Sequence, residues 1–414
     1  MSPADAAVIA ALIFAWGALS TRLERLDLTA PIVFVLAGVL LTHGPLTVLW
    51  FEPPREVLKA LAEITLVLVL FSDASRVGLQ DLRADMTLYL RLLGVGLPLT
   101  IVLGTTLALG LFSGTSAWLA LLAGAALAPT DAALGSGMLA TPAVPSRIRR
   151  LINVESGLND GIATPVVLFA LAGAQAAEHG VAISLGAAVA ELALGVLVGV
   201  AVGAGGGFLV NAGRRRGWAA APFAAPAVLA LAVGAYTCAL ALNGNGFVAA
   251  FVAGLAFGAV RRRHDATLLP FVEESGSLVS LLVWLAIGAI AVVPALRSLT
   301  WQTVVYAVLS LTLVRMAPVA VALAGARLGA AATLFVGWFG PRGLASVVFG
   351  LLALEELGQE AAGPVIPVIA FTVLLSVIAH GVTAGPLARR YGPRLVRGAA
   401  GAPPDPSPES AGST

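Results

Sequence analysis

Charge is what this sequence has least of. Asp, Glu, Lys and Arg together make up 11% of its 414 residues, where a water-soluble domain carries about 25%. Lysine occurs once, as Lys59, so 23 of the 24 basic side chains are arginines. Cysteine also occurs once, as Cys238, which excludes a disulfide within the chain and any cysteine-built metal cluster. There is no GxxxxGK[ST] loop and no GxGxxG leading into a βαβ unit, so nothing points to a bound nucleotide phosphate. The net charge of +2 comes from loop arginines and gives no reason to expect nucleic acid as a partner.

Apolar residues fill the space instead, at 59%, with a mean hydropathy of +0.96. Runs of about 17–25 such residues can each span about 30 Å of hydrocarbon. They predict helices over 4–20, 30–42, 56–72, 88–112, 116–139, 148–176, 183–210, 222–241, 245–260, 273–293, 300–325, 330–354 and 364–388. The fold class is therefore an all-α integral membrane protein with thirteen spans and no room for a second, soluble domain. Met1–Asp5 has no basic residue of the kind that opens a cleavable signal, so the first run is expected to be retained. Residues 391–414, small, polar and Pro-rich towards their end, are expected to be a disordered tail behind a membrane domain of residues 1–390.

Alternating the loops between the two sides puts eighteen basic residues on one side, Arg214–Arg216 and Arg261–Arg263 among them. Only Arg55, Lys59 and Arg297 fall on the other. Cytoplasmic loops carry the excess of Lys and Arg, so the N-terminus is expected outside and the C-terminus in the cytoplasm of a cell-membrane protein. One span more or fewer would destroy that split.

Two of the runs are broken by proline beside polar residues, at Ala128-Pro129-Thr130-Asp131 and at Gly340-Pro341-Arg342-Gly343. A single such proline does no more than kink a membrane helix in many proteins. Here the two stand 212 residues apart (341 − 129), and the same offset carries 88–112 onto 300–324 and 148–176 onto 360–388. The chain thus reads as repeat one over 4–176, a linker helix over 183–210 and repeat two over 222–388. The offset spans an odd number of helices, so the repeats are inverted, and matched broken helices in inverted repeats mark a transporter's substrate site.

Ionisable side chains at membrane depth cost at least ~2.5–3.5 kcal/mol each. Asp131, Glu155, Asp160 and Arg342 lie in or beside the fifth, sixth and twelfth helices, and Asp73 ends the third. Ser156, Asn159 and Asp160 are related by i+3 and i+4 and share one helix face. With carbonyls from an unwound Thr130 and the carboxylate of Asp131, these oxygens suit a dehydrated monovalent cation. A carboxylate can hold a proton in place of that cation, and one site that takes either but not both is all that exchange requires. Asp160 is assigned this role, with Na+ bound at Asp160, Ser156 and Thr130. Glu155, on a different face, is expected to pair with Arg342 as a structural tie, because either charge alone would be costly. His380 reads as hydrogen-bonded packing, and Arg315 has no evident partner.

These residues also carry a resemblance. ESGLNDG (155–161), PTD (129–131) and GPRGLAS (340–346), with FSDASRVGLQDLR (71–83) and GNGFVAAFVAGLAFG (244–258), resemble the monovalent cation:proton antiporter family, in its NhaP-like branch. The likeness covers roughly residues 5–390. It implies a fold of thirteen helices with crossing broken helices, a homodimer in membrane lipid, elevator-like alternating access, and no cofactor beyond the transported Na+ and H+. It matches Asp160 to the ion-carrying aspartate, Ser156 and Thr130 to ligands, Asp131 to the second acidic position, and Glu155 and Arg342 to the structural ion pair. Asp73 falls where some relatives place a further acidic residue. Asn159 before Asp160 implies electroneutral exchange, because one titratable group trades one charge per cycle. The chain departs from the family at Ala132, where many relatives have proline after the aspartate.

The function expected is therefore electroneutral exchange of Na+ (or Li+) for H+, and not an enzymatic reaction; a K+/H+ antiporter of the same fold is the alternative. A cation channel is a more distant one, and it lacks the pore loops or charge rings such proteins show. An intramembrane protease built on Asp131 and Asp160, or on Ser156, would cleave peptide.

Overall fold

A computed structural model describes residues 3–26, 28–43, 54–77, 85–135, 143–181, 184–260 and 267–399. Among these, every expected run contains helix. They are α1 (Pro3–Glu24), α2 (Ala30–His43), α3 (Arg55–Arg76), α4 (Met86–Leu111), α5 (Ala117–Ala126), α6 (Ser146–Glu178) and α7 (Leu185–Arg215). After these come α8 (Ala221–Ala241), α9 (Gly246–Val260), α10 (Pro270–Arg297), α11 (Trp301–Ala322), α12 in two halves (Ala330–Trp338 and Leu344–Ala361) and α13 (Val365–Ala399). No strand occurs among the described residues. Eight of the helices are long and apolar enough to cross a membrane by themselves.

The ends follow local chemistry. Ser116, Ser184 and Thr300 accept backbone N–H groups from Leu119, Ala187 and Thr303 at 3.2, 3.3 and 3.3 Å, capping α5, α7 and α11. Pro222 opens α8, where a missing N–H matters least. Gly217 follows α7 at a φ of +70°, a left-handed turn that favours glycine.

α4 and α10 each contain a π turn, over Leu92–Gly96 and Gly288–Val292, and in each a proline stands two residues later, Pro98 and Pro294. A proline that cannot donate to the carbonyl four back disturbs the ladder at this point. α7 packs on α9 through Gly195, Gly199 and Gly203, spaced four apart on one face. A Cβ on these glycines would lie 2.6, 2.7 and 2.3 Å from the carbonyl oxygens of Asn245, Ala249 and Ala253. Outward-facing apolar side chains such as Phe14, Leu197, Phe208 and Leu209 are exposed, as lipid-facing positions should be.

The interruptions at Pro129 and Pro341 fall where the sequence put them. α13 runs past residue 390 to Ala399, so the tail expected from 391 begins as helix. Residues 400–414, Arg83 and Arg261–Arg263 lie outside the described residues, as do 136–142 at the end of the 116–139 run.

Candidate ion site at the crossing of two broken helices

α5 ends at Ala126, and the chain runs on out of helix through Ala128-Pro129-Thr130-Asp131. α12 stops at Trp338 and resumes at Leu344. The two gaps meet. Asp131 N–H donates to the Pro341 carbonyl at 2.8 Å. The Asp131 carboxylate accepts from Leu344 N–H at 3.2 Å, at the positive end of the second half of α12. Gly343 makes this approach possible, since a Cβ there would sit 2.2 Å from Asp131 Cβ.

Arg342 is wholly buried, and its guanidinium spans the crossing. It donates to the Ala128 carbonyl at 2.8 Å, to Pro129 at 3.3 Å and to Ser310 of α11 at 3.4 Å. These include carbonyls just past the C-terminal end of α5, where the helix dipole favours a cation.

The expected Glu155–Arg342 pair is not formed. Glu155 pairs instead with Arg315 of α11, through two parallel bonds of 2.7 and 2.8 Å, both side chains being 2% exposed. The reason is geometric: the planar guanidinium of Arg315 meets the carboxylate as a two-pronged fork, while Arg342 finds its acceptors in backbone carbonyls. Gly340 leaves room for this fork, a Cβ there falling 2.4 Å from Arg315 Nε. A charged side chain without an evident partner in the sequence is thus the partner of Glu155.

α6 supplies the facing wall. Thr130 N–H donates to Asn159 Oδ1 at 3.3 Å, and Asn159 Nδ2 donates to Thr130 Oγ1 at 2.7 Å. Ser156 Oγ donates to the Thr130 carbonyl and lies 3.1 Å from Thr130 Oγ1. Ser156 has one hydroxyl proton, already spent on the carbonyl, so Thr130 must donate in the hydroxyl pair. Every hydroxyl proton of the group is then used internally, and what the two hydroxyls have left to offer is lone pairs. Asn159 spends both ends of its amide on Thr130 and is wholly buried. It clamps the unwound chain and does not belong to the cavity wall.

A cavity of about 520 Å³ opens beside this group, with Asp73, Thr130, Asp131, Ser156 and Asp160 on its wall. Asp160 is 6% exposed, and its Oδ1 receives no hydrogen bond from the protein. Asp73 reaches the cavity from α3 by packing on Gly157, where a Cβ would lie 3.3 Å from Asp73 Cβ. Gly161, which closes the ESGLNDG run, accommodates the Phe251 ring of α9. Among the described residues no three His, Cys, Asp or Glu side chains converge as for a metal ion, so neutral oxygens would have to complete any coordination sphere. The cavity is also lined by Arg76 and Glu273, which pair across α3 and α10. Near the opposite end of α3, Lys59 pairs with Glu356 of α12, which also receives Gln175 of α6 at 2.9 Å.

Solved structures share this fold. The sodium proton antiporter MjNhaP1 of Methanocaldococcus jannaschii superposes with a TM-score of 0.75 at 18% identity, over 94% of this chain and 98% of that one. Among curated proteins, the K(+)/H(+) antiporter NhaP2 of Shewanella oneidensis is 24% identical over 380 residues, 90% of this chain. The K(+)/H(+) antiporter NhaP of Alkalimonas amylolytica is 25% identical over 370 residues, 88% of this chain. This chain spans only 64% and 63% of the length of those two relatives. The model of the transmembrane sodium/hydrogen exchanger family matches residues 8–390. With that match over nearly its whole membrane-embedded length, the chain belongs to the transmembrane sodium/hydrogen exchanger family.

Proposed function

We propose that the chain exchanges Na+ (or Li+) for H+ across the cell membrane, one for one, with Asp160 holding the cation or the proton in turn. The observation that carries this reading is the contrast between two carboxylates one and a half turns apart on α6. Glu155 is held by both prongs of Arg315, as a permanent buried charge must be. Asp160 lines the cavity, and its buried Oδ1 is an oxygen to which the protein offers no donor, the arrangement expected where the partner is transient. Ser156 and Thr130 stand beside it with their hydroxyl protons committed elsewhere, which favours a cation over an anion.

In proteoliposomes with an internal pH dye, added Na+ should dissipate an imposed pH difference. Asp160→Asn should abolish that response while leaving the protein folded and monodisperse. Retained exchange in the Asn variant would sink the assignment.

Asn159 does not titrate, and Asp131 already accepts a backbone N–H, which supports one proton per cycle. Exchange should therefore carry no current under voltage clamp. A measured current would bring a second proton into the cycle, with Asp73 the next carboxylate on the wall.

Arg76 and Glu273 line the cavity, and they stand on the arginine-rich side that the charge count assigns to the cytoplasm. The Lys59–Glu356–Gln175 contact joins α3 to α12 and α6 at the other side. Both features support an inward-facing state of an alternating-access cycle; the homodimer and the thirteen spans belong to the same proposal. A second reading, K+/H+ exchange, is favoured by the names of the curated relatives. The same vesicles challenged in turn with Na+, Li+ and K+ separate the two.

A further inference from the structure

α13 faces the gap in α12 with two buried polar residues one turn apart, Ser376 and His380, neither of which the ion site uses. Arg342 N–H, on one side of the gap, donates to Ser376 Oγ at 2.7 Å. The Trp338 carbonyl, on the other side, lies 2.9 Å from His380 Nε2. Between them, His380 Nδ1 lies 3.2 Å from Ser376 Oγ and 2.9 Å from the Ser376 carbonyl. With Nε2 donating to the Trp338 carbonyl, which can only accept, a neutral ring leaves Nδ1 to accept the Ser376 hydroxyl proton and not to bond the Ser376 carbonyl. Trp338 O also takes Gly340 N–H at 2.8 Å, so the histidine fills its remaining lone pair. Backbone groups left unpaired by a helix break within a membrane are costly, and these two side chains answer one on each side.

The brace reaches the ion site in two steps. Arg342, fixed at its backbone by Ser376, holds the Ala128 and Pro129 carbonyls with its side chain. The next residue is Thr130, whose carbonyl and hydroxyl Ser156 and Asn159 hold. We propose that Ser376 and His380 are positioning residues for cation binding: they set the spacing of the α12 gap and, through Arg342, the placement of Thr130. The proposal rests on the exchange function above.

The test is cation-dependent pH change in proteoliposomes, measured across a series of Na+ concentrations. His380→Leu and Ser376→Ala should raise the half-saturating Na+ concentration roughly three- to tenfold, the size of one net hydrogen bond, with the maximal rate little changed. His380→Gln, which keeps a donor near the Nε2 position, should restore the wild-type value. Thr383→Val serves as a control. It removes the 3.1 Å bond from Trp338 Nε1 to Thr383 Oγ1, another contact between α13 and α12, without touching the gap, and should leave the half-saturating concentration unchanged.

Wild-type half-saturation in both His380→Leu and Ser376→Ala would overturn the proposal. So would an equal shift in Thr383→Val, which would reduce the effect to general packing. If His380→Leu does not fold, Ser376→Ala decides alone. A wild-type protein with no cation-dependent pH change would bring down the exchange function instead, which keeps the two failures apart.

Discussion

Glu155 had two arginines within reach of its part of the fold, and it took the one the sequence did not nominate. The pair it makes with Arg315 lies at 2% exposure on both sides, so removing one partner strands a buried charge. Arg315→Met or Glu155→Gln alone should destabilise the protein by ~3–5 kcal/mol, seen as a lower melting temperature in detergent. The double variant should recover much of that loss, since it leaves no charge unpaired; no recovery would mean that the pair is not the dominant contact. The residues themselves were legible, because intramembrane charge is rare enough to count. Their pairing was not: helical period places Glu155 on a face but does not say which neighbouring helix lies opposite, or at what height. Asn159 illustrates the same limit. Its spacing from Ser156 put it on the face towards Thr130, yet only the hydrogen bonds reveal that both polar atoms of its amide bond Thr130.

The helices divide along similar lines. Both gaps could be located from proline and its polar neighbours, since a residue without an N–H imposes its effect locally. The π turns at Leu92–Gly96 and Gly288–Val292 were not foreseen, although Pro98 and Pro294 stand beside them. A proline in an apolar run leaves open whether the helix breaks, kinks or widens. The contact of α7 with α9 gives a sharp test of packing at this scale. Gly203→Ala would push a methyl to within 2.3 Å of the Ala253 carbonyl, whereas Gly205, two residues along, has nothing within 4 Å of such a methyl. The first substitution should lower the melting temperature, by an amount in the ~1–3 kcal/mol range of overpacking. The second should leave it unchanged or raise it, because alanine favours helix over glycine. Equal effects would show that the close approach is not maintained in the membrane.

For the whole molecule, the 212-residue offset and the lopsided arginine count were readable because both are patterns along the chain that need no knowledge of which distant segments touch. The cavity was not readable, being made of side chains from helices far apart in sequence. Topology can be checked directly on a background in which Cys238 is replaced by serine. Ser113→Cys, between α4 and α5, should react with an impermeant maleimide added outside right-side-out vesicles. Arg216→Cys, after α7, should react only once the membrane is permeabilised. The reverse pattern would invert the protein and turn the cavity mouth to the outside.

The chain's solitary ε-amine lies at the seam between α3 and α12, where it binds Glu356. An acylating dye aimed at primary amines therefore has one side-chain address in 414 residues. Glu356 engages that amine as an ion-pair partner, and separation of the seam would free it. Its labelling rate, followed with and without Na+, would then report how often the outer path opens, with no engineered label at all.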